Sequence, residues 1–438
     1  MKRKIYCLLV SLFSMLNAPD AQEIWTLADC IEHAYAHNLQ VKRQNKEIER
    51  QAIQLQTDKL SRLPDVTAGG TQKFDFGRSL NRENTYDDIN SQNGSLSLST
   101  EATLFNGMKT HHTIARQKLE LSVQYENLGV IKNELSIQIA VNYFQILLNK
   151  EILSIAREQI TLSRELEEVT KMLASHGKIP SSQIYDVQAQ VANDELNATK
   201  AQNTLRLSIV ELAQLLEIED IGTFDIQTSR EEIASFFMQD PQEVYTLAKQ
   251  TMPQIKSAEL AVESSEKSIK IAQSGYYPVL SFAAGVSSGY YRYSNFENVS
   301  FATQMENNLQ KTIYLTMRIP IFNRYSTKNA VRTARKNHEE SLLVAEQADR
   351  SLYKEIQKTY YDAFSAQEKF LSTEKAVYAN TEAMRYALEK YNAGIFTAYE
   401  YNEVKMKLSN SLSEQVQAKY EFMLQRQILD FYAGTPIH

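Results

Sequence analysis

Apolar residues recur every seven positions in two long stretches of the chain. Ile139, Ile146, Leu153 and Ile160 hold one register in the first stretch, and Ile356, Ala363, Phe370, Val377, Met384 and Tyr391 hold the same register in the second. A sustained seven-residue repeat predicts a seam against another helix in a left-handed supercoil. Asn106 to His176 carries no proline, and glycine only at Gly107 and Gly129; Asn323 to Ala393 is likewise proline-free. At 1.5 Å per residue the first stretch makes a helix roughly 105 Å long, which no compact globule can bury.

The two stretches are copies. They align at a fixed offset of 217 (322 − 105): Phe105 and Asn106 match Phe322 and Asn323, Tyr143 matches Tyr360, Glu151 matches Glu368, and Gly177 matches Gly394. Upstream of each, the pattern is also helical, from Trp25 to Leu63 with Thr26 or Asp29 as cap, and from Asp240 to Tyr277. There the offset is 214 (278 − 64), pairing Pro64 with Pro278. The change of three places an insertion in the segment between, as a loop tolerates.

In that segment the period switches to two. Val66, Ala68, Phe74 and Phe76 alternate with polar neighbours, as do Leu96, Leu98, Ala102 and Leu104, with the polar stretch Arg78 to Gly94 as the loop between. In the second copy Leu280, Phe282, Ala284 and Val286 line one face of a strand, and Ile313, Leu315, Met317, Ile319 and Ile321 one face of the next. Such alternation predicts two-faced strands, each long enough to cross a bilayer when tilted. Aromatics gather near the strand ends, among them Phe74, Phe105, Tyr276, Tyr277, Tyr290, Phe322 and Tyr325, as in the girdles of membrane barrels. Soluble hairpins packed on helices satisfy the same alternation. After each long helix the chain turns at Gly177 or Gly394 and returns as a helix, to about Leu216 and Tyr432.

The expected organisation is therefore a segment 1–21, a first repeat 22–216 with its strand pair in 65–105, a linker 217–239, and a second repeat 240–438 with its strand pair in 279–322. The first segment reads as an export signal: Lys2, Arg3 and Lys4, an apolar run from Ile5 to Leu16, and a short polar end closing at Ala21. No later run is apolar enough for a membrane helix. Past the signal only Cys30 remains as a cysteine, so no internal disulfide is expected. The net charge of −6 gives no basic excess to suggest nucleic acid. In lipid, a four-stranded sheet must close its edges, and four strands are too few to enclose a pore. Several copies are thus expected to share one barrel, with the helices continuing as a hollow tube.

The duplicated helix-strand-strand-helix order, the signal, Pro64 with Pro278, the Leu104-Phe105-Asn106-Gly107 turn and the glycine tips together resemble the TolC-type outer membrane efflux family. The resemblance spans the mature chain and implies an α+β membrane protein: a homotrimer whose 12-stranded β-barrel lies in the outer membrane and continues as a long periplasmic α-helical barrel. It further implies the exit duct of a tripartite efflux system, docking a periplasmic adaptor and an inner-membrane pump of RND or ABC type. By the same resemblance Tyr391, Glu400 and Glu403, with Asp186 as the first-copy counterpart of Glu403, flank a periplasmic gate, and Gly177, Gly394 and Ile395 lie at the adaptor-docking tips. Phe396 stands where the family often has arginine. A secretion exit channel for polypeptides shares the architecture, and a periplasmic coiled-coil scaffold without a pore also satisfies the heptads.

Other chemistry is set aside. Cys30, His33 and His37 share one helix side but lack a fourth ligand, so no metal or other cofactor is expected. The adjacent His111 and His112 point to different helix faces. No phosphate loop, nucleophile elbow or zinc-protease helix occurs, and no enzyme is expected.

Overall fold

A computed structural model describes residues 23–80, 84–222, 224–228, 239–294 and 297–437. The expected signal segment lies outside the described residues, as does 229–238 of the expected linker. In chain order the first copy runs β1 (Glu23–Trp25), α1 (Leu27–His37), α2 (Leu39–Leu60), β2 (Asp65–Asp75), β3 (Arg78–Leu80), β4 (Tyr86–Asp88), β5 (Ser91–Asn106), α3 (Lys109–Ser175), α4 (Ser182–Leu215) and β6 (Phe224–Ile226). The second runs α5 (Pro241–Thr251), α6 (Pro253–Gln273), a 3-10 turn (Ser274–Tyr276), β7 (Val279–Tyr293), α7 (Phe301–Asn307), β8 (Gln310–Arg318), α8 (Ser326–Asn392) and α9 (Ala398–Tyr432). Helices α3 and α8 have 67 residues each.

The helix expected over Trp25 to Leu63 is two. Thr26 opens α1 in a capping box with Asp29, each side chain bonding the other's backbone N–H. Asn38 then turns extended, with φ −60° and ψ 135°, and α2 follows. The second copy breaks at the equivalent residue, Met252, whose ψ of 126° reflects the following Pro253: the pyrrolidine ring bars the preceding residue from helical geometry. In the first copy Asn38 does this without proline. Its Oδ1 accepts from Gln40 N at 2.8 Å and its Nδ2 donates to Leu215 O at 3.1 Å, so the side chain supplies partners at the break.

Among the described residues the chain divides into two units, 23–43, 130–252 and 351–437 in one and 44–129 and 253–350 in the other. The second holds an antiparallel sheet in the order β2-β5-β7-β8. The expected loop Arg78 to Gly94 is more ordered than a loop: β3 and β4 pair as a small hairpin, and β5 begins at Ser91, four residues before the apolar alternation starts. Conversely β8 ends at Arg318. Ile319 and Ile321 lie beyond it because Pro320 has no N–H for the ladder.

The register sorts the side chains. Val66, Thr100, Ala284 and Ile313 lie in one row, Ala68, Leu98, Val286 and Lys311 in the next, and Phe282 pairs with Leu315 on the same side. The opposite face carries Thr67, Thr71, Ser95, Ser97, Ser99, Ser281, Ser287, Thr312 and Thr316. One face is thus apolar and the other dominated by hydroxyls. Away from α7, which lies over one end of it, the apolar face is exposed in the single chain: Ile313 is 76 %, Val66 68 % and Leu315 64 % exposed.

Both copies leave this sheet by the same device. Asn106 and Asn323 reach forward to Thr110 and Thr327, with Nδ2 to Oγ1 distances of 2.8 and 2.6 Å, bridging into α3 and α8. Gly107 and Met108 have positive φ, and so do Arg324 and Tyr325, their partners at offset 217 (324 − 107). Gly107 is also constrained by space, since a Cβ there meets Ser274 O at 2.8 Å. In the first unit, β1 pairs parallel with β6, and Tyr143 Oη donates to Gln227 O at 2.9 Å, fastening the end of that ribbon to α3. The seam residues Ile139, Ile146, Leu153, Ile356, Ala363, Met384 and Tyr391 are buried.

Candidate functional site

The tip of the helical unit is where the sequence places its candidate residues. Both helix pairs turn by one motif. Gly177 N–H donates to Ala174 O and Lys178 N–H to Leu173 O; Gly394 N–H donates to Tyr391 O and Ile395 N–H to Lys390 O. These are Schellman ends, and Gly177 and Gly394 take the left-handed φ they require, +71° and +74°. No heavy atom lies within 4 Å of a Cβ built at either glycine, so conformation rather than space selects the residue. Gly177→Ala and Gly394→Ala are each expected to cost about 1 kcal/mol through this φ alone, read as a small fall in thermal midpoint with unchanged assembly. Ile395 follows at 70 % exposure.

Inside the turns lies a cluster of Leu166, Leu173, Val187, Met384, Ala387, Tyr391, Ala398 and Tyr401. Ile179 and Phe396, each two residues past its tip glycine, pack against it. Tyr391, 1 % exposed, is its polar centre: its hydroxyl meets Thr170 Oγ1 at 2.6 Å and its ring lies 5.5 Å from that of Tyr401. Burial pushes the Tyr401 hydroxyl up to about 12. Phe396 lies under the Lys390 ammonium, 4.8 Å from ring centroid to Nζ. Phe396 therefore contributes packing and a cation–π contact rather than donor hydrogen bonds.

The carboxylates are placed differently from Tyr391. Glu400 is the third residue of a capping box: its Oε2 accepts from Thr397 N at 2.8 Å and Oγ1 at 2.9 Å. The bond from the Thr397 backbone holds its carboxyl below the usual range. Because this pKa is depressed, the cap persists at neutral pH and weakens as pH falls through it. Glu403 is exposed and pairs with Lys407 at 2.8 Å, and Asp186 is exposed on α4. The structure thus gathers Tyr391 with the tip glycines, and leaves the three carboxylates on the surface.

One polar group here went unread in the sequence. Lys405 of α9 is 2 % exposed, and its ammonium donates to Asp194 Oδ2 on α4 at 2.6 Å, to Gln159 O on α3 at 3.3 Å and to Ser163 Oγ on α3. An ammonium has three donors, and all three are used, on two helices of the other hairpin. Asp194 also accepts from Ser163 Oγ at 2.5 Å and from Gln190 Nε2 at 2.9 Å. Burial pulls the Lys405 pKa down, against the carboxylate that supports its charge. The sequence carried a signal, since Lys405 occupies a seam position between Ala398, Tyr401 and Leu408.

The structure places Cys30 apart from the two histidines. Cys30 is fully buried, and desolvation pushes its thiol up to about 12, whereas His33 and His37 stack with centroids 4.0 Å apart on a more exposed side. Among the described residues no group of three or more His, Cys, Asp or Glu could hold a metal ion, and no helix is long and apolar enough to cross a membrane.

Residues 244–435 match the profile of a family described as outer membrane efflux protein. A curated relative, toxin and drug export protein A of Aggregatibacter actinomycetemcomitans, is 21 % identical over 290 residues, 64 % of this chain; the chain spans only 60 % of that relative's length. Among solved structures the fold is similar to that of CusC, with a TM-score of 0.80 and 15 % identity over 94 % of this chain and 92 % of that one. VceC, an outer membrane protein of Vibrio cholerae, gives 0.78 and 16 % over 94 % and 97 %, and the CmeC outer membrane channel of Campylobacter jejuni 0.76 and 17 % over 93 % and 85 %.

Proposed function

We infer that this chain is a member of the outer membrane efflux protein family, whose profile matches residues 244–435, and is the outer-membrane exit duct of an efflux system. The observation that carries this reading is the two-faced sheet. Its apolar face is exposed along β2, β5 and β8 and its other face is lined by serine and threonine, the division required between lipid and a water-filled lumen. Neither β2 nor β8 has a second neighbour among the described residues, and unpaired backbone cannot remain in hydrocarbon. Joining β2 of one copy to β8 of the next closes the sheet, and three copies give the twelve strands the family uses. The helices then form the periplasmic tube, with a periplasmic adaptor and an inner-membrane pump supplying cargo and energy.

The gate is assigned to the tip cluster. Tyr391 and Thr170 join the two helical hairpins of one copy through a neutral hydroxyl pair, and Phe396 adds apolar contact. Glu400, Glu403 and Asp186 make the approach acidic, which favours cations. Thr170→Val is expected to remove the hydroxyl pair at about 1 kcal/mol and to raise the open fraction, seen as more frequent conductance steps in a planar bilayer. The exposed Ile395 and the two glycine turns are the docking points for the adaptor.

Drug or toxin export is a property of the relative's name, and cargo for this duct is assigned by the pump that docks on it. A polypeptide cargo uses the same tube. Fractionation tests the placement itself: the full-length protein should stay in outer membranes washed with carbonate and leave them only in detergent, as a heat-sensitive trimer. Release by carbonate would favour the scaffold without a pore.

A further inference from the structure

Helix α7 lies over the apolar face of the sheet. Ser288 and Tyr290 belong to that face by register; Ser288 Oγ donates to Met305 O at 2.5 Å, and Tyr290 meets Phe301 edge-on with centroids 5.0 Å apart. Side-chain amides fix the helix where β7 outruns β8. Gln304 Oε1 accepts from Tyr291 N at 2.8 Å while its Nε2 donates to Tyr291 O at 2.9 Å, and Asn308 Nδ2 donates to Gly289 O at 2.6 Å. Asn298 brackets the backbone of Tyr293 in the same manner. These amides stand in for the missing strand, so the space beneath α7 is preformed.

That space is a groove of about 670 Å3 between Met305 and Leu309 on one side and Leu96, Leu98 and Val286 on the other, with Gly70 on its floor. Outward along the same face the surface turns polar. Tyr290 Oη donates to Gln72 Oε1 at 2.6 Å and accepts from Gln92 Nε2 at 2.9 Å, and beyond this band Arg292 exposes its guanidinium. Rows two residues apart lie ~7 Å from each other, which sets Arg292 about 14 Å beyond Ser288. An apolar trough ended by a polar band and a cation is complementary to an amphiphile with an anionic head.

We propose that this groove seats an acyl chain of a phosphate-bearing glycolipid of the outer leaflet, with Arg292 on its phosphate. The proposal rests on the outer-membrane reading above. It gives α7 a role as the fixed wall of a lipid site. Because the site is outside the lumen, filling or emptying it leaves conduction as it was.

The full-length protein in mild detergent is incubated with diphosphorylated lipid A, or in a second arm with diacylglycerol, and retained lipid is counted by native mass spectrometry. Planar-bilayer conductance is recorded on the same preparations. The unmodified protein should retain up to one lipid A per chain and little diacylglycerol. Arg292→Ser should weaken retention about tenfold, the effect of one lost charge-assisted pair, and Gly70→Leu should abolish it, both at unchanged conductance. A conducting protein that retains no lipid A, retains diacylglycerol as well, or binds lipid A equally in both variants overturns the lipid site alone. An unmodified protein that neither conducts nor stays in the membrane removes the outer-membrane reading, and the lipid site with it.

Discussion

Lys405→Ala should destabilise the helical tip by about 3–5 kcal/mol, the range seen when one partner of a buried ion pair is removed. The loss comes mainly from what remains. Asp194, with 8 % of its side chain exposed, would keep a carboxylate facing Ser163 and Gln190 without the ammonium that balances it. Asp194→Ala should be comparably damaging, because the buried ammonium then loses the carboxylate that balances it. The double replacement Lys405→Met/Asp194→Leu should recover most of the stability, since apolar side chains of similar volume avoid the desolvation of both charges. Urea unfolding followed by circular dichroism tests this: the two single variants should unfold earlier than the double. If all three match the unmodified protein, the pair is not the junction described.

Leu315→Arg should prevent stable assembly in the membrane. Leu315 lies within β8 on the apolar face, opposite Phe282, and is 64 % exposed in the single chain. An arginine on the lipid face near the bilayer midplane costs about 2–4 kcal/mol, and in the proposed closure by three copies that cost applies three times per barrel. Thr316→Arg, the adjacent residue on the hydroxyl face and opposite Ser281, should be tolerated and instead alter ion preference. Semi-native gels of detergent extracts distinguish them. Equal trimer yields from the two variants would contradict the assignment of faces.

The duplication was legible because it is written in features that physics keeps: heptad seams, prolines before strands, and glycines that must turn left-handed. The same logic made the strand faces readable, as alternation survives wherever one face must be apolar. What failed were elements whose cause is not periodic. Residues 91–94 of β5 are Ser, Gln, Asn and Gly, with no apolar alternation, and they become strand through pairing with β2 and β7. The break at Asn38 was hidden for want of a proline; only a tertiary contact to Leu215 reveals it. The capping role of Glu400 was missed because a carboxylate three residues after a threonine looks the same whether it caps a helix or faces solvent. Lys405 and Asp194 went unread. Their seam positions were visible, but the partnership joins residues 211 apart and no local rule connects them.

The central claim is that the chain makes a water-filled duct across the outer membrane. Single-channel recording of the detergent-purified protein in a planar bilayer tests it most directly, with Glu400→Gln/Glu403→Gln beside the unmodified chain. The account predicts discrete, stable conductance steps with cation preference, and a weaker preference in the double variant. Folded oligomers that give no steps at any voltage would contradict it.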